Sequence, residues 1–118
     1  MRPPVDLPRL EECSDGTADG VRTLVGIFLS DVEEAIRALS TAVDEDRVAD
    51  VGRLAHRAGG ASGACGAAHL AQLLRVLEEL ARGGHIDGSA TLMREVDDEL
   101  SRVARFLESY VDRAGERP

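Results

Sequence analysis

The sequence predicts an all-α protein: an antiparallel up-down-up-down four-helix bundle with a short extra N-terminal helix. Three observations carry this. Apolar residues recur at three- and four-residue spacing through four long segments, no segment alternates with the two-residue period of a strand, and the links between segments are short. The 118 residues are expected to make one domain over 1–118, with the ends, 1–4 and 115–118, loose. Phe28, Phe106 and Tyr110 are the whole aromatic set, so Ala, Leu and Val must fill the interior, which suits closely packed helices.

Pro3, Pro4 and Pro8 delay helix formation, and a short helix is expected from Val5 to Cys13, with Val5, Leu7 and Leu10 available to dock. Ser14–Thr17 is turn chemistry, and Thr17 or Asp19 can cap the second helix. That helix has the clearest pattern, from Ala18 to Val43. Val21, Leu24, Val25, Phe28, Leu29, Val32, Ile36, Leu39 and Val43 form its stripe, and charged residues cover its other face. Asp44-Glu45-Asp46 ends it, and Asp46 is expected to cap a third helix running to Ala64. Gly66 is a C-terminal stop. A fourth helix from Ala67 to Arg82 carries Leu70, Leu73, Leu74, Leu77, Leu80 and Ala81 inward. After a Gly-rich loop, Ser89 is expected to cap the last helix, which reaches Ala114 with Leu92, Val96, Leu100, Val103, Leu107 and Tyr110 inside.

Composition removes several function classes. The formal net charge is −8 and every basic residue is Arg, so no basic patch invites nucleic acid or an anionic membrane. No apolar run approaches the ~20 residues that span a bilayer, and MRPPVDLPRLEE lacks the apolar core of a signal peptide. Cys13 and Cys65 have no paired spacing and read as reduced thiols of a cytoplasmic protein. Arg-only, Ala-rich and Gly-rich usage points to a GC-rich bacterial source.

One stretch departs from ordinary helix composition: Arg53–Gly66, RLAHRAGGASGACG. At ~100° per residue, Val48, Val51, Ala55, Ala58, Ser62 and Cys65 share one stripe, and His56 points roughly 130° away from its centre, towards solvent. Gly52, Gly59, Gly60 and Gly63 surround His56 on the helix surface. Each costs ~0.8–1 kcal/mol relative to Ala. Access is the expected return: with no side chains beside it, the imidazole stands clear for another protein's site to close over it. These four glycines are therefore the expected docking surface, and a bulky side chain at Gly63 should block approach without disturbing the fold.

From His56 the chain reads H-x-A-G-G-A-S-x-x-x-G-A-x-x-L-x-x-x-L-x-x-L-E. This resembles the signature of histidine-containing phosphotransfer (HPt) domains, with His56, Gly60, Ser62, Gly66, Ala67, Leu70, Leu77 and Glu78 in register without a gap. Phe28-Leu29-x-Asp31 likewise resembles the helix before the histidine helix of that family. Three positions depart from the pattern: Gly59 replaces a lysine, Ala58 a leucine and Ala61 a serine. The resemblance implies a four-helix bundle. It also implies that His56 accepts a phosphoryl group from an aspartyl phosphate on a receiver domain and passes it to another receiver. The implied partners are response-regulator receiver domains or a hybrid sensor kinase. Mg²⁺, the acidic cluster and the catalytic lysine would belong to the receiver, so no cofactor or metal is expected on this chain.

The residues fit such a role. A free imidazole is largely neutral, hence nucleophilic, at pH 7, and phosphoryl transfer demands positioning and charge stabilisation more than covalent machinery. In the family the missing lysine lies near the phosphate. Arg53, one turn back from His56, and Arg57 beside it are the expected substitutes. His69 and His85 read as solvated or boundary histidines. A metal site from His56, Cys65 and His69 lacks standard spacing. Ser62 lacks an oriented triad, and the glycines lie within a helix rather than in a phosphate-binding loop. The alternative on the same fold is a non-phosphorylated module that docks a receiver or kinase. A sensor-kinase phosphoacceptor domain would carry an acidic residue where Arg57 stands, and the sequence holds no ATP-binding domain, so no autokinase activity is expected. A phosphohistidine carrier need not be an enzyme in its own right, and a monomer is expected because His56 must stay uncovered.

Overall fold

The structure, a computed structural model, describes residues 2–116, with side chains through Arg113. Five helices succeed one another: α1 (Leu7–Glu12), α2 (Ala18–Asp44), α3 (Val48–Ala64), α4 (Ala68–Arg82) and α5 (Ser89–Glu116). Each of α2 to α5 packs on its neighbour in sequence, and α5 returns to α2, closing a four-helix bundle. The last helix runs two residues past Ala114; Met1, Arg117 and Pro118 of the ends expected to be loose lie outside the described residues.

The apolar stripes explain the packing. Val25, Phe28, Val32, Ile36 and Leu39 of α2 meet Val51, Leu54, Ala55 and Ala58 of α3, Leu70, Leu74 and Leu77 of α4, and Val96, Val103 and Leu107 of α5 in one core. On α5 the inner face is slightly rotated from the expected one. Met93 and Glu99 are buried, while Leu92, Leu100 and Tyr110 are only partly so. Arg102 Nη1 donates to Glu99 Oε1 at 2.8 Å, while Glu99 Oε2 is buried without a hydrogen-bond partner among the described residues.

Three of the links use one device. After α2, α3 and α4, the backbone N–H of the second residue past the cap returns to a carbonyl in the helix's last turn. Arg47 N donates to Ala42 O, Ala67 N to Ser62 O and His85 N to Leu80 O, at 2.8–3.0 Å. The residue before each adopts positive φ: Asp46 (57°), Gly66 (88°) and Gly84 (77°). Asp46 is thus the left-handed stop of α2, not the expected cap of α3, whose cap position is Arg47 without a side-chain hydrogen bond. Ser89 is likewise the first residue of α5 rather than its cap. An L side chain is strained in this conformation. Asp46→Gly is therefore expected to stabilise the protein by about 0.5–1 kcal/mol and to raise Tm by a few degrees in a thermal melt.

The start of α2 is capped as expected. Thr17 Oγ1 accepts from Gly20 N at 2.9 Å, and Asp15 Oδ1 accepts from both the hydroxyl and the N–H of Thr17, which holds the Asp15 carboxyl below its ordinary range. The short α1 lies across the bundle end where α3 turns into α4. Asp6 N donates to Gly66 O at 2.9 Å, Cys13 Sγ to Ala64 O at 3.3 Å, and Tyr110 Oη to Glu11 Oε1 at 2.7 Å. Val5 and Leu10 are buried there. Both cysteines are free thiols; burial first, and then Cys13, pushes the Cys65 thiol upward.

Candidate functional site

Ser62 lies wholly inside and donates its hydroxyl to Ala58 O at 2.8 Å, so it packs the helix rather than reacting. His56, about 1.7 turns earlier, lies about 120° away around α3, where its side chain is 73% exposed. Its direction is more specific than "towards solvent". It stands on the edge of α3 beside α4, and its Nδ1 is 2.9 Å from Glu78 Oε2.

The glycines explain how α4 comes this near. A Cβ built at Gly52 would lie 3.5 Å from Ala81 Cβ, at Gly59 3.5 Å from Leu74 Cβ, and at Gly63 3.7 Å from Ala71 Cβ. These three glycines and the alanines facing them let the two helices approach closely. The three lie along the seam between α3 and α4 beside the histidine, and an added Cβ at each would make ordinary van der Waals contact with α4. Gly60 alone of the four is exposed with open space above its Cα.

Two cavities flank the His56–Glu78 pair. The larger, about 370 Å³, is lined by Gly52, Arg53, His56, Glu78, Ala81 and Arg82. The smaller, about 170 Å³, is lined by His56, Gly59, Gly60, Ala71, Arg75 and Glu78. Arg53 does reach the histidine's neighbourhood, but its guanidinium is paired with Asp50 at 3.4 Å. Arg57 is exposed and lines neither cavity. Three site residues come from α4 and have no role that sequence reasoning assigns: Glu78, Arg82 and Arg75. Folding the α3–α4 hairpin about Gly66 sets residue 56 level with residues 75 to 78, and that register is the available signal.

Glu78 is the most buried member of the group, its side chain 12% exposed, and its Oε2 also accepts from Arg82 Nη2 at 2.7 Å. A carboxylate only accepts hydrogen bonds. Nδ1 of the neutral ring must then carry the proton, which leaves the lone pair on Nε2, the nitrogen turned away from the protein. The ring is therefore held in one tautomer and orientation with its nucleophilic atom open. Among the described residues no group of three or more His, Cys, Asp or Glu is arranged to hold a metal ion.

The Hpt domain family matches residues 23–106, more than half of the chain, and the match contains His56, Glu78 and both cavities. The chain belongs to the Hpt domain family. The crystal structure of histidine-containing phosphotransfer protein B (HptB) from Pseudomonas aeruginosa PAO1 superposes with a TM-score of 0.87 at 26% identity, over 96% of this chain and 98% of that one. No match is found among curated proteins. Family and structural likeness together support a histidine phosphotransfer role in two-component signalling for this Hpt domain. No helix of the described residues is long and apolar enough to cross a membrane.

Proposed function

We propose that this Hpt domain is a phosphorelay intermediate whose His56 carries a phosphoryl group between receiver domains in the cytoplasm. The observation that carries the reading is the Nδ1–Glu78 hydrogen bond on a 73% exposed ring. Nε2 attacks the phosphorus of a receiver's aspartyl phosphate. The N–P bond forms as the acyl-phosphate P–O bond breaks, and its electron pair leaves on the aspartate carboxylate. The ring is left as an N-phosphoimidazolium whose proton stays on Nδ1, facing the negative Glu78. Transfer to the next receiver runs the same exchange in reverse. The receiver brings its Mg²⁺ and lysine; this chain brings an oriented nucleophile and a surface that a monomer leaves open.

The test is incubation with a phosphorylated receiver. An acid-labile, alkali-stable label that maps to the peptide containing His56 is expected. Co-purification with the receiver but no label would identify a docking module instead. Glu78 gives the second measurement. Glu78→Ala removes a hydrogen bond to a charged group, worth about 1.5–3 kcal/mol, so label uptake should slow roughly 10- to 150-fold. Glu78→Gln keeps an acceptor and loses only the charge, and its uptake should fall between alanine and wild type.

A further inference from the structure

Cys13 and Cys65 are the only two cysteines and stand 52 positions apart in the sequence. The fold brings them to one place. Cys13 ends α1 and Cys65 ends α3, each as the C-terminal cap residue of its helix. Where α1 crosses the α3–α4 turn, Cys13 Sγ donates to Ala64 O at 3.3 Å, and Ala64 is the residue immediately before Cys65. A carbonyl oxygen lies about 2.8 Å from the next Cα across a planar trans peptide, so Cys13 Sγ is within roughly 6 Å of the Cys65 Cα. Joining the sulfurs asks for rotation of two short side chains and a small adjustment of α1, a six-residue helix, while the bundle stays closed. The two thiols are not equivalent. Cys13 is exposed and Cys65 half-buried; burial first, and then the nearness of Cys13, holds the Cys65 thiol above its ordinary range. A reagent in solution therefore meets Cys13 first.

We propose that Cys13 and Cys65 are a redox-modification site: low-molecular-weight disulfides oxidise the pair to a reversible bond that staples α1 to the end of α3. The exchange runs in two steps. The Cys13 thiolate attacks one sulfur of the small disulfide, whose S–S bond breaks with its electron pair leaving on the departing thiolate. Cys65 then gives its proton to water, and its thiolate attacks the Cys13 sulfur and expels the second small thiolate. The two protein thiols lose two electrons, and the small disulfide is reduced to two thiols. The new bond closes a loop of about 53 residues, and a cross-link of that span stabilises chiefly by restricting the unfolded chain. It also keeps α1 seated, which is otherwise held by the burial of Val5 and Leu10 and by single hydrogen bonds such as Asp6 N to Gly66 O. His56 lies nine residues before Cys65, about 13 Å along α3, so the staple leaves the His56–Glu78 pair untouched and does not depend on the phosphotransfer reading.

The experiment treats the full reduced chain with oxidised glutathione, blocks the remaining thiols with N-ethylmaleimide and reads the intact mass without reductant. Wild type should lose about 2 Da, take up no maleimide, stay a single chain and yield one peptide pair joined through Cys13 and Cys65. Its Tm should rise by roughly 10 °C and fall back on adding dithiothreitol. In Cys65→Ser the reaction should stop at a glutathione adduct on Cys13, with Tm near that of the reduced wild type. Two maleimides on the oxidant-treated wild type, a bond between two chains, or an internal bond that lowers Tm would each overturn the staple. So would an equal rise of Tm in Cys65→Ser, where no cross-link can form.

Discussion

A His56→Gln variant is expected to take up no phosphoryl label from a phosphorylated receiver and to melt within about five degrees of wild type. The chain has two other histidines, His69 and His85, so loss of one imidazole would not by itself abolish labelling. Geometry makes the difference. His69 is exposed on α4, in the cavity below the N-terminal segment, and His85 is exposed in the loop after α4. Neither side chain has a carboxylate partner among the described residues, so nothing fixes its tautomer or ring direction. His56 alone has both an open Nε2 and an acceptor on Nδ1. The cost to the fold is small because the ring is mostly in water and an exposed pair contributes about 0–1 kcal/mol. Glutamine is also a better helix residue than histidine. Label that persists in this variant on His69 or His85, read by peptide mapping, would end the proposal for His56.

The contrast among the three histidines also marks how far the residues alone can lead. Helical stripes are legible because burial on α2, α3 and α4 keeps the 3.6-residue period, and His56 falls off the buried stripe of α3 as the azimuth requires. What azimuth on one helix cannot supply is the neighbour. Glu78, Arg82 and Arg75 lie 19 to 26 residues further on, and their meeting with His56 depends on the register of α3 against α4. The Gly66 turn sets that register. The glycines are ambiguous for a related reason. A bare helix edge reads the same in sequence whether it faces water or another helix, and only the facing Ala71, Leu74 and Ala81 decide it. On α5 a strict 3.5-residue spacing skips Met93 and Glu99, because a helix of this length drifts about 20° per heptad from that ideal. Asp46 reads as a cap because an aspartate just before a helix usually is one. The tight return to Ala42 needs that residue left-handed instead.

Gly66→Ala is expected to be the most destabilising conservative change in the chain, by about 2–4 kcal/mol, lowering Tm on the order of 10–20 °C. Two costs coincide there. At φ +88° an L side chain is strained, which alone costs about 1 kcal/mol. A Cβ would also sit 2.6 Å from Asp6 O and 3.3 Å from Asp6 N, which are backbone atoms that cannot swing aside like a side chain. They are held in place because Asp6 N donates to Gly66 O at 2.9 Å. Relief would require α1 to lift off, exposing Val5 and Leu10, each now almost wholly buried. Gly84→Ala separates the two costs. Gly84 has nearly the same backbone conformation, φ +77°, and the same place in its turn, with nothing within 4 Å of the added atom. It should lose only about 1 kcal/mol. Equal losses at the two positions would mean that α1 does not press on the α3–α4 turn. A loss at Gly66 that clearly exceeds the one at Gly84 would mean that α1 braces the turn setting His56 opposite Glu78. Label transfer should then also slow in Gly66→Ala at temperatures where the variant is still folded.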